Sequence, residues 1–164
     1  MTASGDQLDK ALEGDRKLAR SIVAARTLIE AGLREQISRT TVSAADPRFQ
    51  DYLRLVIGNA TTERLHVTFV AQDWGYLADE TIAQGTIAQV EGPLRRLLAR
   101  AFDVGAHGIV LAHNHPSGCA EPSSADVQMT KKIERLARAV DIRLLDHLIV
   151  GGRSIVSMRE RGLL

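Results

Sequence analysis

Two histidines one residue apart open the stretch "HNHPSGCAEPSSAD", His113 to Asp126, and an aspartate closes it. Side chains two apart on an extended chain point to the same side, so His113 and His115 can aim their imidazoles at one point while Asn114 faces away. Pro116 keeps His115 extended, and Gly118 permits the sharp turn that returns the chain toward Asp126. Two imidazoles and one carboxylate fill three positions of a tetrahedral zinc site and leave the fourth for water, the pattern of a catalytic rather than a structural metal. A plainer reading competes: Ser123-x-x-Asp126 also fits a helix capping box, with Ser123 as cap and Asp126 facing the positive helix end. The conjunction of a preceding apolar strand, the Pro and Gly of the loop and a following helix start favours the metal.

The elements around the stretch fit that role. The run "GIVLA" has the length and flanks of a buried strand and delivers the chain to His113. After the loop, "SSADVQMTKKIERLARAV" has helical periodicity. Upstream, "DRKLARSIVAARTLIEAGL" predicts a helix over Asp15–Leu33, and "PRFQDYLRLVIGN" a shorter amphipathic one opening at Pro47. The segments "ERLHVTFVAQ" and "YLADETIAQGT" around the turn "DWG" read as a β-hairpin. "PLRRLLARAFDVG" is a helix with Leu94, Leu97, Leu98, Ala101 and Phe102 on its apolar stripe and Gly105 as its stop. Finally "IRLLDHLIV" and "RSIVSM" form a second hairpin whose two glycines suit a tight turn. The order ααββαβαββ predicts an α/β fold, a mixed β-sheet flanked by helices. Its expected division is an N-terminal helical extension over 1–39 and one domain over 40–164.

Composition sets the outer bounds. A chain of 164 residues with 45% hydrophobic content supports one domain with a real core. A net charge of +1 gives no surface dedicated to phosphate backbones, so DNA binding finds no support there. The single Cys119 cannot close an internal disulfide. The opening "MTASGDQLDKALEG" has no apolar signal core, and no stretch is apolar enough to span a bilayer. These features predict a cytoplasmic protein without membrane insertion.

The residues also resemble a known family. "HNHPSG", "PSSAD" and the tail "DIRLLDHLIVGGRSIVSMRERGLL" look like the RadC family, whose characteristic domain belongs to the JAMM (MPN+) metalloprotease superfamily. The resemblance covers Thr40 to Leu164. It implies His113, His115 and Asp126 as zinc ligands, Ser123 as the family's serine, and Glu63 in "TTERLHVTFVAQD" as the upstream glutamate. It also implies the JAMM/MPN fold, similar to that of cytidine deaminases. In such a site zinc lowers the pKa of water toward neutrality, and a nearby carboxylate takes the proton and delivers it to the leaving amine. Glu63 is the candidate base, with Glu80 in "ADETI" as substitute. Ser123 would stabilise the developing oxyanion if its hydroxyl points into the site.

The leading expectation is therefore a zinc-dependent hydrolase of peptide or isopeptide bonds acting on a peptide or protein. A DNA-repair or DNA-processing accessory and an inactive MPN-type interaction scaffold are the alternatives. RadC proteins commonly carry a helix-hairpin-helix region for DNA, whereas a single helical stretch precedes Thr40 here. The letters His-Asn-His also match an HNH nuclease, but that site spreads its residues over a hairpin and a helix. Cys119 reads as a small loop residue. Asp146 and His147 read as hydrogen-bonded strand positions, with support of the ligands as the sharper option. Lys131, Arg135 and Arg138 form a solvated basic stripe.

Overall fold

The computed structural model describes residues 15–85 and 91–164. The first fourteen residues of the expected N-terminal extension, and Thr86 at the end of the first hairpin, lie outside them. Four helices and five strands are present among the described residues: α1 (Arg16–Ser38), α2 (Pro47–Val56), β1 (Arg64–Val70), β2 (Tyr76–Gln84), α3 (Glu91–Asp103), β3 (Gly108–Asn114), α4 (Ser124–Arg138), β4 (Arg143–Gly151) and β5 (Ser154–Ser157). The order is the expected one, and the strands form one sheet in the order β2-β1-β3-β4-β5. Only β3 and β4 pair in parallel, as two strands joined through a helix can; the other pairs are antiparallel, so the sheet is mixed.

Helices cover both faces. On one side Leu94, Leu97 and Ala101 of α3 and Met129, Ile133 and Ala137 of α4 pack on Leu65, Val67, Phe69, Ile109 and Leu111. On the other, Ile37 of α1 and Phe49, Tyr52 and Leu53 of α2 pack on Val70, Val110, Ala112, Leu148 and Val150. This explains why β1 is buried on both sides from Leu65 to Val70, although its sequence alternates. His66 and Thr68, at the alternate positions, lie under the α1–α2 layer instead of in solvent.

Three expectations change. Helix α1 runs to Ser38, five residues past Leu33: Gly32 is not among the glycines with positive φ and so does not make the left-handed stop of a helix C-terminus. Phe102 is 61% exposed. Leu94, Leu97 and Ala101 already form the face toward the sheet, and a residue one step beyond Ala101 is turned about 100° away. In the second hairpin Gly151 still belongs to β4 and pairs with Ser154, so the turn is Gly152–Arg153, with Gly152 at φ +57. Gly151 instead makes room for a neighbouring segment. A Cβ there would lie 2.4 Å from Ala120 N, so its bareness lets the loop after the histidines press against β4.

Candidate metal centre

Strand β3 carries His113 and Asn114 at its carboxyl end, and the turn at Gly118 (φ +83) sends the chain on to α4. His113 pairs across β3 with Leu65 on one side and Ile149 on the other, which puts its ring beneath α4. Helix α4 opens with Ser123 as N-cap and a complete capping box. Ser123 Oγ accepts from Asp126 N at 3.2 Å, and Ser123 N donates to Asp126 Oδ2 at 2.7 Å. The helix cap and the proposed ligand thus belong to one hydrogen-bonded unit, and the box aims the carboxylate.

That carboxylate faces both rings. Asp126 Oδ1 lies 3.1 Å from His113 Nε2, Asp126 Oδ2 3.3 Å from His115 Nε2, and the two Nε2 atoms are 2.9 Å apart. Burial works against ionisation of Asp126, but the hydrogen bonds donated to it by the Ser123 hydroxyl and N–H favour the carboxylate. His115 Nδ1 lies 2.8 Å from the Cys119 carbonyl, an acceptor only, so the ring proton sits on Nδ1 and the Nε2 lone pair faces inward. Behind His113, its Nδ1 meets His147 Nε2 at 2.8 Å, and His147 Nδ1 meets Thr130 Oγ1 at 2.6 Å. Burial holds His147 well below the ordinary histidine range, so this ring is neutral.

Lone pairs and negative charge therefore converge on one point, an arrangement that suits a cation. The separations of 2.9, 3.1 and 3.3 Å approach the edge of about 3.3 Å expected for a tetrahedron with ligand bonds of about 2.0 Å. His113, His115 and Asp126 form the one His/Cys/Asp/Glu group of this kind among the described residues, and it can hold a metal ion.

The structure distributes the remaining candidates unequally. Glu63 stands immediately before β1, two residues from Leu65, the partner of His113; carried two residues past the last pair, this register sets it opposite His115. It is half-buried, and among the described residues no hydrogen bond or ion pair engages its carboxylate. That carboxylate is not one of the converging ligand atoms. Glu80 sits on β2, opposite Val67, where Arg96 and Arg100 of α3 approach it at 3.2 and 3.9 Å. Ser123 Oγ donates to Asp126 Oδ2 at 2.6 Å, so its proton is directed at a ligand oxygen. Cys119 is exposed and serves through its main chain. Asp146 is a buried acceptor for His147 N, Arg159 N and Ser157 Oγ, tying β4 to β5 and the tail.

Asn114 does more than face away. Its Oδ1 accepts from Arg64 N at 2.8 Å, and its Nδ2 donates to the carbonyls of Ala60 and Thr62 at 3.2 Å each. The residue between the two histidines thereby fastens the segment bearing Glu63 to the end of β3. Alternation revealed its direction, but the partner lies some fifty residues upstream and leaves no local signal.

Comparison with known proteins identifies the family. The RadC-like JAB domain family matches residues 43–163, three-quarters of the chain and the whole site. The chain belongs to the RadC family. This RadC-family chain is 38% identical to UPF0758 protein YfjY of Escherichia coli strain K12 over 146 residues, 88% of this chain and 89% of that relative. It is 36% identical to UPF0758 protein Mmwyl1_0624 of a Marinomonas species over 164 residues, 99% of this chain and 73% of the relative. A UPF0758 protein of Leptothrix cholodnii is 40% identical over 129 residues; there the match takes in 79% of this chain but only 58% of the relative's length. The five-stranded mixed sheet flanked by helices is consistent with a JAB/MPN fold. No helix among the described residues is long and apolar enough to cross a membrane.

Proposed function

We propose that this RadC-family chain is a zinc-dependent hydrolase of peptide or isopeptide bonds. One observation carries the reading: His113 Nε2, His115 Nε2 and the Asp126 carboxylate converge, and the Nδ1 proton of His115 is directed away from them to the Cys119 carbonyl. Two histidines and a carboxylate suit zinc and leave it a fourth position. When bound, zinc supplies a Lewis acid that polarises the scissile carbonyl and brings the pKa of water toward neutrality.

The chain's own residues then divide the work. Asp126 offsets part of the metal's charge, and the capping box holds it in place. Glu63, uncommitted and fastened near His115 through Asn114, receives a proton from the attacking water and returns it to the leaving nitrogen as the C–N bond breaks. Ser123 Oγ donates to Asp126 Oδ2 and so holds the ligand carboxylate; to serve the oxyanion that develops on the carbonyl oxygen, its proton would have to turn from Asp126 to the substrate. The engagement of Glu80 with Arg96 and Arg100, against the uncommitted Glu63 carboxylate, supports Glu63 as the base.

The test is cleavage of peptide and isopeptide libraries by zinc-loaded protein, wild type against Glu63→Gln. The variant should keep its zinc and lose about 10²- to 10⁴-fold in rate. Equal cleavage by the two proteins would remove Glu63 from the chemistry. Absence of cleavage by the zinc-loaded wild type would leave a metal-holding interaction domain.

A further inference from the structure

His147 takes no part in the chemistry above, yet it is fully buried on β4 and hydrogen-bonded through both ring nitrogens. The direction of each bond follows from one fixed end. The main-chain carbonyl of Asp126 only accepts, and Thr130 Oγ1 lies 2.5 Å from it, so the hydroxyl proton of Thr130 is spent there. The thioether of Met158, 3.6 Å away, is a far weaker competitor for that proton. With its proton gone, Thr130 Oγ1 can only accept from His147, whose Nδ1 must then carry the ring proton. A neutral imidazole has one proton, so His147 Nε2 presents a lone pair. That lone pair faces His113 Nδ1 at 2.8 Å, and His113 must donate. The proton of His113 is thereby held on Nδ1, leaving Nε2 with a lone pair toward Asp126 and His115.

We propose that Thr130 and His147 are positioning residues that set the tautomer of His113, so that its Nε2 lone pair is presented to the metal position. This rests on the metal reading of the site. Thr130 lies one helical turn after Asp126, so the turn of α4 that supplies the carboxylate ligand also supplies the carbonyl and hydroxyl that orient the chain of bonds. If the polarity reversed, His147 would donate to His113 Nδ1, and His113 Nε2 would carry a proton aimed at the metal position, which a ligand cannot do.

The test compares Thr130→Ser and Thr130→Val with the wild type. Long-range ¹⁵N–¹H spectra of the histidine rings in metal-free protein, at about pH 8 where an ordinary histidine is neutral, report the tautomers directly. Competition with a chelator reports zinc affinity. Wild type and Thr130→Ser should show His113 and His147 both protonated on Nδ1, with equal zinc affinity. Thr130→Val, of similar size but without the hydroxyl, should shift both rings toward Nε2–H and weaken zinc about 10- to 100-fold. Unchanged tautomers and affinity in Thr130→Val would overturn the proposal. If that variant does not fold, the wild-type spectrum decides alone: His113 protonated on Nε2 sinks the proposal. A wild type with both Nδ1–H tautomers that takes up no zinc would leave the bond polarity standing and defeat the metal reading, so the two failures are separable.

Discussion

Asp126 shows how one residue can satisfy two readings of the same letters. The capping box read from Ser123-x-x-Asp126 and the ligand read from His113, His115 and Asp126 are both present, because the box fixes the carboxylate that the rings face. Asp126→Asn separates their energetics. An amide oxygen still accepts from Ser123 N, so the helix-start cost should stay at or below the about 0.5–2 kcal/mol typical of a lost cap. Exchanging an anion for a neutral group beside a dication should reduce zinc affinity by orders of magnitude. Isothermal titration with zinc alongside thermal melts of the metal-free protein checks both; zinc binding equal to wild type would reduce Asp126 to a cap. At this scale the cluster itself was legible, since a period of two and a sharp turn suffice to gather it. His147 was open to a ligand-supporting role beside its plainer reading, but its partner Thr130 was not assignable, because the link to His113 depends on strand register and helix placement. The signal available was a polar pair, Asp146 and His147, inside the apolar run "LLDHLIV", and buried polar residues demand partners.

Among the elements, α1 is secured by a polar cluster that no short motif announces. Arg34 of α1 reaches Asp79 of β2 at 3.0 Å, and Asp79 also accepts from Tyr52 of α2 at 2.6 Å and from Tyr76. His66 Nε2 of β1 approaches the same carboxylate to 3.1 Å. Burial would raise the pKa of Asp79, but contacts with His66, Tyr52 and Tyr76 outweigh it and hold the carboxyl well below the usual range. A depressed folded-state pKa stabilises the protein above the unfolded value of about 3.9 and loses that contribution as pH falls below it. Asp79→Asn should therefore be less stable than wild type at pH 7, with the difference narrowing as pH drops from about 5 toward 2. Denaturant melts across that range are the check; a constant difference would mean that the carboxylate charge is not what the cluster uses. Periodicity gave each of these elements and their order, since apolar spacing is local. It does not reveal the burial of His66 and Thr68, because whether a second layer covers that face of the strand is a tertiary fact.

For the whole molecule, charge balance bears on the accessory role suggested by the family's association with DNA. A chain at net +1 that contacts few phosphates should bind duplex or branched DNA weakly, with a shallow dependence on salt. Fluorescence anisotropy over a range of salt concentrations gives that slope. Tight binding that falls by about 0.9 log units per log unit of salt for each of several phosphates would restore the DNA role. The fold as a whole is three layers, with the candidate site at the carboxyl end of β3 and the start of α4. The most direct measurement is zinc-edge anomalous diffraction from crystals of the zinc-loaded protein. A single peak about 2.0–2.2 Å from His113 Nε2, His115 Nε2 and an Asp126 oxygen is the predicted result. No peak among those three atoms, with the protein folded and zinc in excess, would contradict it.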